Sequence, residues 1–274
     1  MFDCGEGVQR QMLLARCGFN KKMKIFVTHM HGDHVLGLPG LLQTMALLNR
    51  ERKLEVYGPP RISDFLEAIR ETVPFGLTFP VEIHEIEEAG VIVDEQEYLV
   101  AAIKSKHPIP GFAYAFIEKP RPGKFHPEKA EALKVKEGPL WGKLQRGQNV
   151  RLSNRRVVKP EDVMDKPRKG RKIVYTGDTR PFRMLEKFAA GADMLIHEST
   201  LGEELAQRAM EYGHSTPSQA ARTAKKANVK KLVLTHISQR YKDSSKVLKQ
   251  AKRIFKNTIV AEDFMKLDVP LLEE

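Results

Sequence analysis

Short apolar runs alternate with amphipathic stretches along most of this chain, which predicts strands alternating with helices in an α/β layered fold. Lys24–Thr28 reads as a buried strand, followed by a polar loop and an apolar helix over about Pro39–Asn49. Leu54–Tyr57 is a strand running into Gly58-Pro59-Pro60, and Pro60 suits the first turn of a helix over roughly Ser63–Thr72. Val81–Ile86, Tyr98–Ile103 and Phe112–Ile117 alternate in part, as half-exposed strands do. Lys172–Tyr175, Met194–Ile196 and Lys231–Leu234 are short apolar strands, each followed by a polar cluster.

The pattern breaks between Ile117 and Ile173. This stretch opens on Lys119-Pro120-Arg121-Pro122-Gly123-Lys124-Phe125 and shows little apolar periodicity. A short helix over about Pro127–Leu133 is the one regular element the pattern supports. The segment reads as an insertion projecting from a single domain rather than as part of its core.

Charge sharpens that division. Lys119–Lys172 holds 17 Lys and Arg against 6 Asp and Glu, which accounts for the whole net charge of +11. Lys225–Lys256 adds 11 cations against the single Asp243, so the remainder of the chain is net acidic. Cations segregated in this way suit a polyanionic partner such as RNA; a surface rich in Lys and Arg for thermal stability is the alternative. No run of eighteen apolar residues exists, so no transmembrane helix is expected, and no signal-peptide pattern opens the chain. Cys4 and Cys17 make no disulfide framework or C-x-x-C pair, which fits a reducing cytoplasm.

The densest chemistry is His29-Met30-His31-Gly32-Asp33-His34, directly after the first strand. Imidazoles and a carboxylate are a ligand set that suits zinc. In an extended loop His29, His31 and Asp33 face one side while His34 turns to another, so one segment could serve two metals; a histidine-rich surface turn is the bland reading. His107, Asp178 and His236 each follow an apolar strand. Singly, each is equally a cap or a satisfied strand-end residue. His84, in an acidic strand, and His126, in the basic insertion, have no comparable setting.

The H-x-H-x-D-H string, followed in order by His107, Asp178 and His236, resembles the metallo-β-lactamase superfamily. Within it the chain resembles the ribonuclease Z family, which trims the 3′ trailer from precursor tRNA. His197-Glu198-Ser199-Thr200 and His214-Ser215-Thr216 resemble that family's acidic-histidine and catalytic-histidine motifs. Phe2-Asp3-Cys4-Gly5-Glu6-Gly7 is similar to its opening loop with a structural Asp, and 119–172 occupies the position of its flexible tRNA-clamping arm, including Gly138-Pro139-Leu140-Trp141-Gly142-Lys143-Leu144. Family members carry two or three strands ahead of the opening loop, so an N-terminally truncated domain is expected here.

The resemblance implies an αββα sandwich of two mixed sheets flanked by helices, with a protruding arm over 119–172. It implies two zinc ions per chain, His29, His31 and His107 on one, Asp33, His34 and His236 on the other, and Asp178 as bridge. Asp33 would orient or deprotonate the attacking water. His214, oriented by Glu198, would protonate the departing 3′ oxygen, leaving a 3′-OH on the tRNA and a 5′-phosphate on the trailer. A cytoplasmic homodimer acting on precursor tRNA is the implied context. A small phosphodiesterase or arylsulfatase on the same fold, and an inactive truncated fragment, are the competing expectations; the cationic insertion argues against a small substrate.

Overall fold

A computed structural model describes residues 1–271. In chain order the elements begin with α1 (Val8–Leu14), β1 (Lys24–Phe26), α2 (Gly32–Val35), α3 (Gly37–Leu47), β2 (Leu54–Gly58), α4 (Ile62–Thr72) and β3 (Val81–Glu85). They continue with β4 (Gly90–Asp94), β5 (Tyr98–Lys104), β6 (Phe112–Glu118), α5 (Pro127–Ala132), α6 (Pro139–Gln145), β7 (Val150–Arg151), β8 (Val157–Val158) and α7 (Pro160–Val163). The last part holds β9 (Lys172–Tyr175), α8 (Arg183–Phe188), β10 (Met194–Glu198), α9 (Ala206–Glu211), α10 (Pro217–Lys226), β11 (Leu232–Thr235), α11 (Ser245–Lys252) and β12 (Thr258–Val260). Two compact units result. One comprises Met1–Glu95, Leu99–Ile117 and Lys172–Val269; the other comprises Gln96–Tyr98, Glu118–Arg171 and the tail from Pro270.

The first unit contains two sheets. In the three-stranded sheet, ordered β1-β2-β3, every pairing is parallel. The seven-stranded sheet, ordered β12-β11-β10-β9-β6-β5-β4, is mixed: β9 to β12 are parallel, while β6–β9 and β4–β5 are antiparallel. Parallel neighbours need crossovers, which α3 and α4 supply to the small sheet and α8, α10 and α11 to the large one.

Alternation along β1 shows how the layers stack. Ile25 packs among Met12, Leu38, Leu41, Leu42 and Met45 on the helical side. Phe26 faces the other way, onto an aromatic layer of Phe2, Tyr57 and Tyr114, with ring centroids 5.1–5.6 Å away. Tyr175 of the large sheet stacks on Phe2 at 5.6 Å. Both faces of the strand are therefore covered, and all three of its residues are buried. Behind the large sheet, Val174, Leu195, Leu232 and Leu234 meet the alanines of α10 and Val247 and Ala251 of α11. Helices, sheet, aromatic layer, sheet and helices make the αββα sandwich.

Among the elements that the sequence pattern does not mark are α1, β4 and β12. Helix α1 buries only Met12 and exposes Leu13 and Leu14, so it shows no apolar stripe. Strand β4 is largely exposed, and β12 is only three residues long. Pro60 lies ahead of α4 rather than in its first turn, because Arg61, with φ of 77°, caps the helix.

The second unit corrects the expectation of one regular element. It holds three helices and the β7–β8 hairpin around its own core of Ala130, Val135, Leu144, Val150, Val158 and Val163. Phe125 and Trp141 pack against that core, their rings 5.3 Å apart, and the indole N–H donates to the Val135 carbonyl at 2.9 Å. Each element spans only two to seven residues and contributes one buried core side chain, too few to register as a period. Among the described residues, no helix is long and apolar enough to cross a membrane.

Candidate metal centre

The centre assembles at strand ends of the first unit. Beyond β1 the chain reaches Thr28, whose amide donates to Asp3 Oδ1 at 2.7 Å. Gly177, at φ of 55°, turns the chain after β9 so tightly that an added Cβ would meet Thr28 at 2.7 Å. His29, His31, His107 and Asp178 then offer ligand atoms within 4.8 Å of one another. Asp33, His34 and His236 form a second such group, and Asp178, His214 and His236 a third. All seven metal-ligand candidates read from the sequence thus come together, with Asp178 reaching both sets. One detail differs from the extended-loop expectation. Residues from Gly32 onward are helical in α2, which ends the alternation and sends Asp33 with His34 rather than with His29 and His31.

Most of these imidazoles are already held by one ring nitrogen. His34 Nδ1 lies 2.8 Å from Asp3 Oδ2, His107 Nδ1 3.1 Å from the Gly213 carbonyl, His29 Nδ1 2.9 Å from Thr28 Oγ1 and His236 Nδ1 2.8 Å from Thr200 Oγ1. Tyr175 also donates to Asp3 Oδ2, at 2.8 Å, so one carboxylate ties β9 to the first motif. Metal-binding histidines are characteristically oriented this way, through the nitrogen that does not face the ion. Their other nitrogens face one another: His29 Nε2 and His107 Nε2 approach His31 Nδ1 at 3.0 and 3.3 Å. His34 Nε2 and Asp178 Oδ1 are buried without a hydrogen-bond partner among the described residues. Convergent imidazoles, a shared carboxylate and orphaned buried donor atoms fit a metal centre.

The electrostatics agree. Burial, with the neighbouring His34 charge, pushes His29 down to about 3, so this imidazole stays neutral. Burial opposes charge on His34 too, yet the Asp178 and Asp3 carboxylates outweigh it and raise its pKa to about 10. The hydrogen bond from His236 holds Asp33 at about 2. Asp178 is buried, but His34 and His236 keep it ionised well below the usual carboxylate range. A cation binding at Asp178 would compete with protons for the same ligand atoms.

Glu198 and His214 stand beside this cluster. Glu198 is 1% exposed, and its carboxylate accepts from the Thr179, Ser215 and Thr200 amides at 3.0–3.1 Å and from the Thr200 hydroxyl at 2.8 Å. His214 Nδ1 lies 3.1 Å from Glu198 Oε1 and 3.8 Å from Asp178 Oδ2. The sequence marks the motif containing Thr200 without revealing that its hydroxyl touches Glu198, His214 and His236 together. His126 pairs with Glu128 and Asp165 inside the second unit, and His84 stacks on Tyr57. The remaining ligand-type group, Glu55, Glu82 and His84, is countered by ion pairs from Lys24 and Lys53.

A family model described as Beta-lactamase superfamily domain matches residues 163–237, and one described as Anti-Pycsar protein Apyc1 matches residues 1–73. Ribonuclease Z of Methanosarcina acetivorans is 47% identical over 276 residues, covering 100% of this chain and 90% of that protein. Ribonuclease Z of Methanothermobacter thermautotrophicus is 47% identical over 269 residues, covering 98% and 87%. Among solved structures, human tRNase Z, short form, matches with a TM-score of 0.71 at 31% identity, covering 98% of this chain and 88% of that one.

Proposed function

The chain belongs to the ribonuclease Z family, hydrolytic endoribonucleases of tRNA 3′ processing on the metallo-β-lactamase fold, and from that premise we propose how its centre works. The observation that carries the reading is the convergence of His29, His31, Asp33, His34, His107 and His236 on buried Asp178. Zinc suits these imidazoles and carboxylates; His29, His31 and His107 would hold one ion, Asp33, His34 and His236 another, and Asp178 would serve both. When bound, such ions offset the phosphodiester's negative charge and bring the pKa of water to roughly 7.

The chain's own residues do the rest. Asp33, ionised and next to His236, would orient or deprotonate the attacking water. Cleavage leaves a 5′-phosphate on the trailer and needs a proton for the 3′ oxygen of the tRNA. His214 delivers it, and Glu198 positions the ring through Nδ1 so that the opposite nitrogen meets the leaving oxygen. The domain is organised as a single metallo-β-lactamase unit with 119–172 inserted as an exosite arm. The arm's 17 cations meet tRNA phosphates away from the cut, adding affinity without entering the chemistry. A cytoplasmic homodimer completes the proposal; free Cys4 and Cys17 suit a reducing compartment.

Zinc analysis beside a precursor-tRNA cleavage assay tests this. About two zinc ions per chain and products ending in 3′-OH and 5′-phosphate are expected. Full activity with a single tightly held ion overturns the dinuclear assignment. Undiminished cleavage by thoroughly chelated protein overturns the metal mechanism.

A further inference from the structure

His214 has two sides. One faces Glu198 and Asp178; the other lines a cavity of about 450 Å³ bounded by Lys106, Arg180, Pro181, Phe182, Met210 and Gln219. That volume suits one small ligand. Its walls combine two cations, Lys106 and Arg180, with the apolar Pro181, Phe182 and Met210. Lys106 and Arg180 are exposed, and neither has a carboxylate within ion-pair distance among the described residues. Their backbones are nevertheless fixed to each other. The Arg180 amide donates to the Lys106 carbonyl at 3.0 Å, and the Lys106 amide donates to Thr179 Oγ1 at 2.9 Å. Each cation also adjoins a ligand candidate in sequence, Lys106 beside His107 and Arg180 two residues after Asp178. The same cavity is lined by half-buried Phe182, which offers an aromatic ring, and by Pro181 and the exposed Met210.

An aromatic ring and apolar side chains lining one cavity with two cations are the means by which proteins hold an unpaired nucleotide, the base stacked and the phosphate neutralised. We infer that this cavity is the subsite for the last nucleotide of the tRNA body, whose 3′ oxygen departs. Its base lies against Phe182 and Met210, and its 5′-phosphate is met by Lys106 and Arg180. The inference rests on the reading of His214 as the acid, because the group protonating the leaving oxygen must adjoin the ribose that carries it. The nucleotide on the trailer side lies outside this cavity.

The test is a cycle between protein and substrate. Precursor tRNA is prepared with an abasic ribose either just 5′ or just 3′ of the cut, and single-turnover kcat/KM is measured for wild type, Phe182→Ala and Met210→Ala. On the unmodified precursor each variant should lose roughly 5- to 150-fold, the range that stacking one base is worth. On the 5′-abasic precursor that loss should shrink to nearly nothing, while on the 3′-abasic precursor it should persist. A loss that persists on the 5′-abasic precursor, or that vanishes only on the 3′-abasic one, overturns the subsite. Met210 is 54% exposed, so its variant decides the matter if Phe182→Ala fails to fold. For the double variant Arg180→Ala with Lys106→Ala, the plot of log KM against log salt should lose about 0.7 of slope, for the one phosphate the two cations share, and an unchanged slope removes the phosphate half of the inference. His214→Ala run in parallel separates the two readings. If it cleaves as wild type does, the acid assignment fails, whatever the abasic substrates show. If it is slow and the cycle is additive, the subsite alone fails.

Discussion

The first unit directs its distinctive ionisable groups inward, to strand ends around a carboxylate that is only 3% exposed, whereas the second scatters cations over short elements wrapped around six small core side chains. The two ask different things of the backbone. A metal centre needs donor atoms fixed to fractions of an ångström, which long-range packing of two sheets provides. Phosphate recognition needs charge at a distance and tolerates looser placement. On the proposed reading, reactivity and grip fall to separately cored pieces of chain, so that each should be open to damage alone.

Asp178→Ala is the most damaging way to strike one side of that comparison. Both ligand groups lose a member, so metal content and hydrolysis of every substrate should fall. The loss should exceed the roughly 10²–10⁴-fold that a missing general acid costs. Metal analysis of the purified variant checks it. Next, His214→Ala should fall within that 10²–10⁴-fold range while keeping its metal. His236→Ala should lose metal as well. Zinc released by His214→Ala would instead make His214 a ligand, as its grouping with Asp178 and His236 permits.

Replacing residues 119–171 by a short linker strikes the other side. Precursor-tRNA cleavage should weaken through KM. Its salt dependence should become shallower by about 0.7–0.9 for each phosphate that the arm no longer neutralises. Hydrolysis of bis(p-nitrophenyl) phosphate should change little. Equal impairment of both substrates would make the segment a strut rather than a grip. Finer still, Leu144→Ala in the second core and Leu41→Ala in the first should each cost about 2–5 kcal/mol, both side chains being fully buried. Only the second substitution should disturb metal content.

A further effect is a pH dependence of chelated protein. His34 has its folded pKa raised from 6.5 to about 10, so its stabilising pairing is fully present below about 6.5 and lost as pH rises through about 10. The thermal midpoint should decline across that window, and Asp3→Asn should flatten the decline.

The contrast also explains what is legible in the sequence. Ligands of the centre stand out because strand ends are read from apolar runs, and His and Asp immediately after such runs are rare enough to notice. Asp178 and His236 are each ambiguous alone; their order after His29–His34 resolves them. Thr200 and Gly213 stay hidden, because a hydroxyl or a carbonyl that braces an imidazole has no pattern of its own and is defined only by partners 36 and 106 residues away. The second unit's core escapes for the opposite reason. Hydrophobic periodicity needs several turns or strand steps to declare itself, and helices such as Pro160–Val163 provide one.

The crowd of donors around Glu198 carries an implication for which residues this position admits. Three backbone amides, a hydroxyl and the His214 ring all point at two oxygens. Gln has the same shape but exchanges one oxygen for an NH2. Turned one way, that NH2 confronts the Thr179 and Ser215 amides; turned the other, the Thr200 amide. Asp keeps the acceptors but falls one methylene short. The position therefore specifies a net charge and a reach together, so that neither of the two most conservative replacements preserves what the surrounding backbone demands.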